Sequence, residues 1–214
     1  MSALKVNLIV AVCDETLAMG WSTRPELPFS LPQECRWYRD MITRTQDNSK
    51  RHVAIFGRKT FVFPECVRPH SYTIVLSRNE RLWDEEKKRE LAKLDAERDS
   101  KTLLASSYEQ ALDIARTLPD VERVFCVGGV EPFECSFYHP TFHRLYMGTR
   151  CPANFNYGAN TTRVYADCAA DVFFPNFDLS PLKDVSAHND EIFQGPRQEN
   201  GMQYRMFVYE QADS

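Results

Sequence analysis

The chain has 214 residues, a formal net charge of -4 and a pI near 5.8, and this length fits one sizeable domain with insertions. The acidic balance and the lack of a Lys and Arg cluster argue against a DNA-binding protein. The first apolar run is too short for a signal peptide, and no apolar segment has membrane-spanning length. We therefore expect a cytoplasmic monomer that binds neither DNA nor a membrane.

Seven cysteines are spread along the chain, and none forms a C-x-x-C pair or stands beside a histidine at metal-binding spacing. We expect reduced thiols and no metal site. Cys13, Cys126 and Cys135 have apolar neighbours, which predicts small core residues rather than nucleophiles.

The first predicted strand runs from Leu4 to Val12 and is almost continuously aliphatic. Such a run is typical of a central strand that is buried on both faces of a parallel sheet. A polar loop follows from Cys13 to Glu26. Loops at the carboxyl ends of strands are where α/β sheets build their sites.

Residues 27–38 place one carboxylate, Glu34, in the first turn of a predicted helix that ends near Arg44. Ser30 and Gln33 have capping-box spacing, and Pro32 suits the first turn. Glu34 lies at the edge of an apolar helix face. The residues alone leave two interpretations open: a solvated acid that complements the helix dipole, or a buried functional acid.

Three further predicted strands are followed by residues that could bind an anion or let a ligand approach the backbone closely. The run 53–56 is followed by Gly57-Arg58-Lys59-Thr60, which suits an anion over a helix N-terminus, and the run 72–76 is followed by Ser77-Arg78. The run 124–127 is followed by Gly128-Gly129, which permits positive φ and close approach of a ligand to the backbone. A plain or solvated turn is the alternative at each strand end.

Two segments differ in composition from the rest of the chain. Residues 79–101 are strongly charged, which predicts an exposed helical insertion, and residues 150–170 form an irregular, Asn-rich insertion. Short helices are predicted from Ser106 or Ser107 to Leu118 and from Pro132 to Phe137. Further strands are predicted at 102–105, 145–147, 171–175 and 204–209.

Eight short strands with interspersed helices predict an α/β fold. We expect a single domain over residues 1–214, with a mostly parallel sheet, an antiparallel C-terminal strand and helices on both faces.

The motifs, taken in order, resemble those of the dihydrofolate reductase family over nearly the whole length. They are residues 8–12, Leu27-Pro28-Phe29 with Glu34, and then residues 57–61, 74–78, 127–129 and 171–175 and a Tyr-rich closing strand. The resemblance implies an eight-stranded sheet, NADPH as the cofactor and binding of antifolate inhibitors. It also implies hydride transfer from nicotinamide to C6 of dihydrofolate, with protonation at N5.

Glu34 resembles the family's catalytic carboxylate, which hydrogen-bonds the pterin 2-amino group and N3 and promotes protonation of N5. An acid among apolar residues is poorly solvated, which favours its neutral form and suits acid catalysis. The substrate-binding residues that the resemblance implies are Ile9, Val10, Leu27, Phe29, Glu34, Tyr38, Thr60, Arg68, Val127 and Val172. The implied cofactor-binding residues are Ala11, Met19, Gly20, Gly57, Arg58, Lys59, Thr60, Ser77, Arg78, Ser106, Val127, Gly128, Gly129 and Phe133.

Several positions depart from the family pattern. Phe29 replaces a tryptophan, Phe133 replaces a tyrosine, and Val172 is aligned with a threonine that hydrogen-bonds the acid. The segment 68–72 lacks the arginine that binds the α-carboxylate of the folate glutamate, and Ser106 stands where an arginine often binds the 2′-phosphate. Two other functions therefore stay open: a ligand- or RNA-binding member with weakened turnover, or a reductase of another pterin or pyrimidine.

Overall fold

The computed structural model describes residues 4–14, 16–23, 30–79, 84–152 and 170–212, with only the backbone described at 151–152. Two compact units divide the chain. One contains residues 1–9 and 38–143, and the other contains residues 10–37 and 144–214.

The first unit is built on parallel strands. They are β1 (Val6–Cys13), whose first half lies here, β3 (Arg51–Gly57), β4 (Tyr72–Leu76), β5 (Lys101–Ala105) and β6 (Val121–Gly128). Their order is β1-β6-β3-β4-β5, with Ile55 beside both Cys126 and Ile74. These strands are mostly apolar, and all but β5, which is partly exposed, are largely buried, as expected for a parallel sheet.

Three helices belong to the first unit: α2 (Glu85–Glu97), α3 (Tyr108–Thr117) and α4 (Val130–Tyr138). Asp84 caps α2 by accepting the Lys87 N–H at 2.9 Å, and Leu91 of α2 packs against Val67 and Val75. The charged insertion therefore forms a helix, as predicted, and its few leucines attach it to the core. Ser107 caps α3, and α4 follows directly after the paired glycines.

The second unit is antiparallel. The strands β7 (Phe142–Pro152) and β11 (Met202–Gln211) pair along their length, and β11 also pairs with β9 (Leu182–Asp184) and β10 (Arg197–Glu199). This unit holds α1 (Pro32–Thr43) up to residue 37, a 3-10 helix (Ser186–His188) and a separate hairpin of β2 (Ala18–Gly20) with β8 (Val172–Phe173).

The hydrogen-bonded order of the described strands is β10-β11-β7-β1-β6-β3-β4-β5. The mostly parallel eight-strand path and its antiparallel C-terminal strand confirm the predicted fold, and β1 is central. One predicted strand is placed differently. Residues 172–173 pair with β2 and lie outside this sheet. The strand has only two residues and ends before Pro175, which cannot donate a backbone hydrogen bond.

The predicted capping box of α1 is wrong. The helix begins at Pro32, so Leu31 rather than Ser30 precedes it, and the Gln33 N–H donates to the Glu199 carboxylate at 3.0 Å. A carboxylate from β10 thus satisfies a first-turn donor that the local sequence does not.

The cysteines also differ in part from expectation. Cys126 is fully buried, and burial raises the pKa of its thiol to about 12, which makes it a poor nucleophile. Cys135 is an exposed free thiol, because the helical period turns it away from the buried Phe133 and Ser136. Cys13 is disulfide-bonded, so the expectation of reduced thiols is wrong at that position.

No helix in the described part of the chain is long and apolar enough to cross a membrane. The irregular insertion falls mostly on residues 153–169, which lie outside the described residues.

Candidate active site

Glu34 lies in the first turn of α1, and only 4% of its surface is exposed. Its helix neighbours Pro32 and Gln33 are exposed, so the start of the helix directs the carboxylate inward. This favours the buried functional acid of the two interpretations that the sequence leaves open. Tyr38 follows one helical turn later on the same side of α1 and is partly buried.

The buried acid is ion-paired. Arg150 of β7 places Nη2 against Oε2 of Glu34, and both side chains are almost fully buried. The Arg150 Nη1 also faces the Val12 carbonyl at 3.3 Å and the Gly148 carbonyl at 3.4 Å. Burial lowers the pKa of Arg150, and the Glu34 carboxylate opposes that effect. The sequence-based expectation of a lone acid among apolar residues is therefore wrong.

The Glu34–Arg150 ion pair lies against one face of the paired strands β7 and β11. Gly148 and Arg150 are two residues apart on β7, and their cross-strand partners are Met206 and Tyr204. A Cβ atom on Gly148 would lie 2.5 Å from Glu34 Oε1, so the glycine makes room for the carboxylate. The Tyr204 ring is buried, and burial raises the pKa of its hydroxyl, with the negative charges of Glu199 and Glu34 adding to the effect.

The threonine that the resemblance places beside the acid was assigned to Val172, and the structure corrects this assignment. Val172 pairs with Gly20 in the β2–β8 hairpin, whereas Gly148 lies against the carboxylate. Sequence reasoning also missed Arg150. Arg150 stands at the start of the segment predicted to be an irregular insertion, and nothing in that segment points to a partner on α1.

The other expected substrate residues fall into three groups. Ile9 and Val10 are consecutive buried residues of β1, and Val127 is a buried residue of β6. Thr60 and Arg68 lie in the turns after β3 and are partly buried. Leu27 and Phe29 lie outside the described residues.

The region expected to bind the glutamate tail offers one candidate cation. The Ser71 hydroxyl donates to the Arg68 carbonyl at 2.7 Å, and the His70 ring lies 2.9 Å from the Asp99 carboxylate. Both side chains are thus engaged within the first unit. The Arg68 Nε is buried and has no hydrogen-bond partner among the described residues, so Arg68 remains a candidate for an anionic ligand.

Three glycines meet where β3 and β6 end. A Cβ on Gly57 would lie 3.2 Å from the Gly128 carbonyl, and a Cβ on Gly129 would lie 2.9 Å from the Pro132 ring. A Cβ on Gly128 would collide with the Thr60 side chain. Gly129 has φ of 103°, which confirms that the glycine pair supplies a positive φ. Phe133, expected to contact a cofactor, is buried and donates its N–H to the Gly129 carbonyl at 3.0 Å.

Basic and hydroxyl side chains follow the ends of β3 and β4. The Arg58 N–H donates to the Leu76 carbonyl at 3.1 Å, and the Ser77 N–H donates to the Ala105 carbonyl at 2.9 Å, so the two strand ends are aligned. Arg58, Lys59 and Arg78 are exposed there, as an anion site requires.

Three details of the predicted anion site differ in the structure. Residues 58–71 form turns and not a helix, so the helix N-terminus expected after Gly57 is absent from this described segment, and the nearby helix start is that of α4. The Ser106 hydroxyl donates to the Gln110 amide oxygen at 2.8 Å. Arg78 lies 3.4 Å from the Glu131 carboxylate of α4.

Three of the expected cofactor-binding residues lie in the second unit. Ala11 continues β1 and is partly buried, and Met19 and Gly20 belong to β2. Nothing lies within 4 Å of a Cβ built on Gly20. Among the described residues, no group of three or more His, Cys, Asp or Glu side chains has metal-binding geometry.

Comparison with known proteins gives one family. The family model described as dihydrofolate reductase matches residues 5–211. A dihydrofolate reductase of Aedes albopictus is 28% identical over 214 residues, covering 97% of this chain and 98% of that protein. A dihydrofolate reductase of Drosophila melanogaster is 29% identical over 210 residues, with the same coverage of 97% and 98%.

Among solved structures, Schistosoma mansoni dihydrofolate reductase superposes with a TM-score of 0.67 at 19% identity. The match covers 98% of this chain and 99% of that one. This likeness shows that the fold is shared.

Proposed function

Because the chain belongs to the dihydrofolate reductase family, we propose that it reduces 7,8-dihydrofolate to 5,6,7,8-tetrahydrofolate with NADPH. The observation that carries this proposal is the buried carboxylate of Glu34 at the start of α1. A buried acid can bind the amino group of a heterocycle and influence a nearby proton transfer, which a solvated surface acid cannot do as strongly.

The chain has residues that fit NADPH. The glycines at the ends of β3 and β6 leave the backbone open where a Cβ would fill the space, and Arg58, Lys59 and Arg78 offer charge to phosphates. When bound, NADPH supplies the hydride for C6 of dihydrofolate. The residues that would hold it are Gly57, Arg58, Lys59, Thr60, Ser77, Arg78, Gly128 and Gly129.

Glu34 would orient the pterin and favour its protonation at N5. Its carboxylate accepts hydrogen bonds from the 2-amino group and N3, and this fixes the ring relative to the acid. The Arg150 guanidinium holds one side of the carboxylate, so the direction in which Glu34 presents its oxygens is set by β7. Tyr38 would pack against the substrate ring, and Arg68 would receive its anionic tail.

One observation favours a second candidate function. The Arg150 guanidinium already occupies one oxygen of the Glu34 carboxylate, which leaves less of the acid to orient a ring and to assist its protonation. A family member with weakened turnover that binds its ligands is therefore the alternative, and a reductase of another pterin or pyrimidine is related to it. A cytoplasmic location and a monomeric state remain predictions from the sequence.

The experiment that separates these functions measures NADPH oxidation with 7,8-dihydrofolate, a dihydropterin without the glutamate tail, and a pyrimidine substrate in parallel. We expect one tetrahydrofolate for each NADPH consumed, and slower reaction with the other two. Tight NADPH binding without oxidation by dihydrofolate would instead support the ligand-binding protein, and preference for another ring would support the related reductase.

A further inference from the structure

Glu34 and Arg150 are opposite charges buried together, so this part of the second unit is close to electrically neutral. Arg150 also contacts the Val12 and Gly148 carbonyls, which holds the guanidinium on the side of the acid that faces β7. Removing one partner of a buried ion pair is strongly unfavourable, because the other charge is left uncompensated. The arginine is therefore a fixed part of the acid's surroundings.

We propose that Arg150 is a specificity-determining residue, which makes the pterin site prefer an electrically neutral ring over a protonated, cationic ring. This inference rests on the proposed function, because it assumes that Glu34 receives the heterocycle. A lone buried carboxylate attracts a cationic ring by charge as well as by hydrogen bonds. A carboxylate that is already paired with a guanidinium offers the hydrogen bonds with much less net charge.

A cationic ring at this site has two ways to bind, and both are unfavourable. It can displace Arg150 from Glu34, which leaves a buried guanidinium unpaired. It can also share the carboxylate with Arg150, which brings two positive charges together in a buried place. A neutral ring that donates from an amino group and a ring N–H avoids both costs.

Three other titratable groups lie around the pair. Tyr204 of β11 is the cross-strand partner of Arg150, and burial keeps its hydroxyl protonated by raising its pKa. Cys35, the neighbour of Glu34 on α1, is a partly buried thiol. Glu199 of β10 carries a negative charge that acts on Tyr204, and its carboxylate accepts the exposed Gln33 N–H at the start of α1 and not the Arg150 guanidinium.

Gly148 and Arg150 act together in this arrangement. A Cβ atom at position 148 would lie 2.5 Å from Glu34 Oε1, which is too close, whereas its 3.5 Å to Arg150 Nη2 would be an ordinary contact. The glycine therefore leaves room for the carboxylate beside its guanidinium partner.

The test uses two matched ligands, a 2,4-diaminopteridine and the 2-amino-4-oxopteridine with the same substituents. The diamino ring is the more basic and can bind as a cation, whereas the oxo ring binds neutral. Dissociation constants for both are measured on the wild type and on Arg150→Met, Arg150→Lys and Arg205→Met. Arg205 lies on β11 beside Tyr204 and pairs across the ladder with Thr149, so its replacement is the matched control.

We expect Arg150→Met to shift the affinity ratio toward the diamino ring by about ten- to a hundredfold, the size of a charged hydrogen bond. Arg150→Lys and Arg205→Met should leave the ratio close to that of the wild type. Thermal unfolding and NADPH binding show whether each variant is folded. An unchanged ratio in folded Arg150→Met would overturn the proposal.

A second measurement needs no variant. Calorimetry of the diamino ring with the wild-type protein, in buffers of different ionisation enthalpy at a pH where the free ring is neutral, gives the number of protons taken up on binding. We expect no net uptake. Uptake of one proton would show that the cation is bound and would contradict the proposal. Neither readout depends on turnover, so loss of the reductase function would be detected separately as absent oxidation of NADPH.

Discussion

Arg150 determines what Glu34 can do at the scale of single residues. A buried charge without a partner is strongly unfavourable, and the Arg150 guanidinium supplies the opposite charge beside Glu34. The same pair makes the two side chains depend on one another for stability. This dependence can be tested apart from catalysis.

Glu34→Ala is expected to destabilise the protein by about 3–5 kcal/mol, because it leaves the Arg150 charge buried without a partner. The double variant Glu34→Ala/Arg150→Met should recover most of that stability without recovering turnover. Urea unfolding of the wild type, both single variants and the double variant measures the effect. If the two replacements were simply additive, the pair would not be coupled and the described geometry would be wrong.

Gly148→Ala is expected to cost about 1–3 kcal/mol, the usual range for overpacking a buried site, because its new methyl group would lie 2.5 Å from Glu34 Oε1. Gly20→Ala is the control, since a Cβ at that position has nothing within 4 Å. Thermal unfolding compares the two variants with the wild type. Equal stability of the two variants would mean that Gly148 does not lie against the acid.

At the scale of elements, the ends of parallel strands supply the charges for a cofactor. Arg78 follows β4 and interacts with Glu131 in the first turn of α4, and both side chains are exposed. The pairing connects a strand end to the helix that begins after Gly129. A phosphate bound there would compete with Glu131 for the arginine.

Arg78→Ala is therefore expected to lower the preference for NADPH over NADH by about ten- to a hundredfold, the value of one charge-assisted hydrogen bond. Glu131→Gln should keep or increase the preference, because it frees Arg78. The ratio of kcat/KM for the two cofactors measures both effects, with Arg116→Ala on α3 as a surface control. An undiminished preference in Arg78→Ala would place the 2′-phosphate elsewhere.

The amino ends of β3 and β5 are connected by a surface cluster. Asp99 precedes β5 and accepts hydrogen bonds from Arg51 of β3 at 2.8 Å and from the His70 ring at 2.9 Å. The hydrogen bonds from Arg51 and then from His70 lower the pKa of Asp99 from its ordinary value of 3.8. A carboxyl group with a lowered folded-state pKa stabilises the fold above its unfolded pKa and loses that contribution as the pH falls through the folded value.

Asp99→Asn is accordingly expected to lower the melting temperature at pH 7, and the difference from the wild type should shrink as the pH falls below 3.8, the ordinary pKa of the carboxyl group. Asp113→Asn, which removes a surface carboxylate of an ion pair within α3, is the control and should change the melting temperature less. Melting curves over this pH range test the expectation. A melting-temperature difference that grew as the pH fell would contradict the stabilising role assigned to the Asp99 carboxylate.

At the scale of the whole molecule, long apolar runs were sufficient to predict the architecture. Strands such as β1 and β3 are buried on both faces, so their residues alone predict a parallel sheet. The charged insertion was likewise predicted to be helical from its composition, and α2 confirms it.

The features that could not be predicted depend on residues far apart in the chain. Glu199 meets Gln33 across 166 residues, and Arg150 of β7 meets Glu34 of α1, which is also far from it in the chain. The spacing of residues in the sequence does not show which distant residues meet. For this reason three predictions were wrong: the capping box of α1, the acid without a charged partner, and Val172 as the residue beside the acid. The position of Glu34 in the first turn of a helix was predicted from the sequence, and its burial is one of the two alternatives that the residues alone left open.

The most direct test of the account is the oxidation of NADPH by 7,8-dihydrofolate on the wild type and on Glu34→Gln, with NADPH binding measured on both. The account predicts substrate-dependent oxidation by the wild type, and a loss of about 10²–10⁴-fold in Glu34→Gln at neutral pH, the range for general acid catalysis. NADPH binding should be preserved. A Glu34→Gln variant that kept more than half of the wild-type rate would contradict the assignment of Glu34 as the acid of this enzyme.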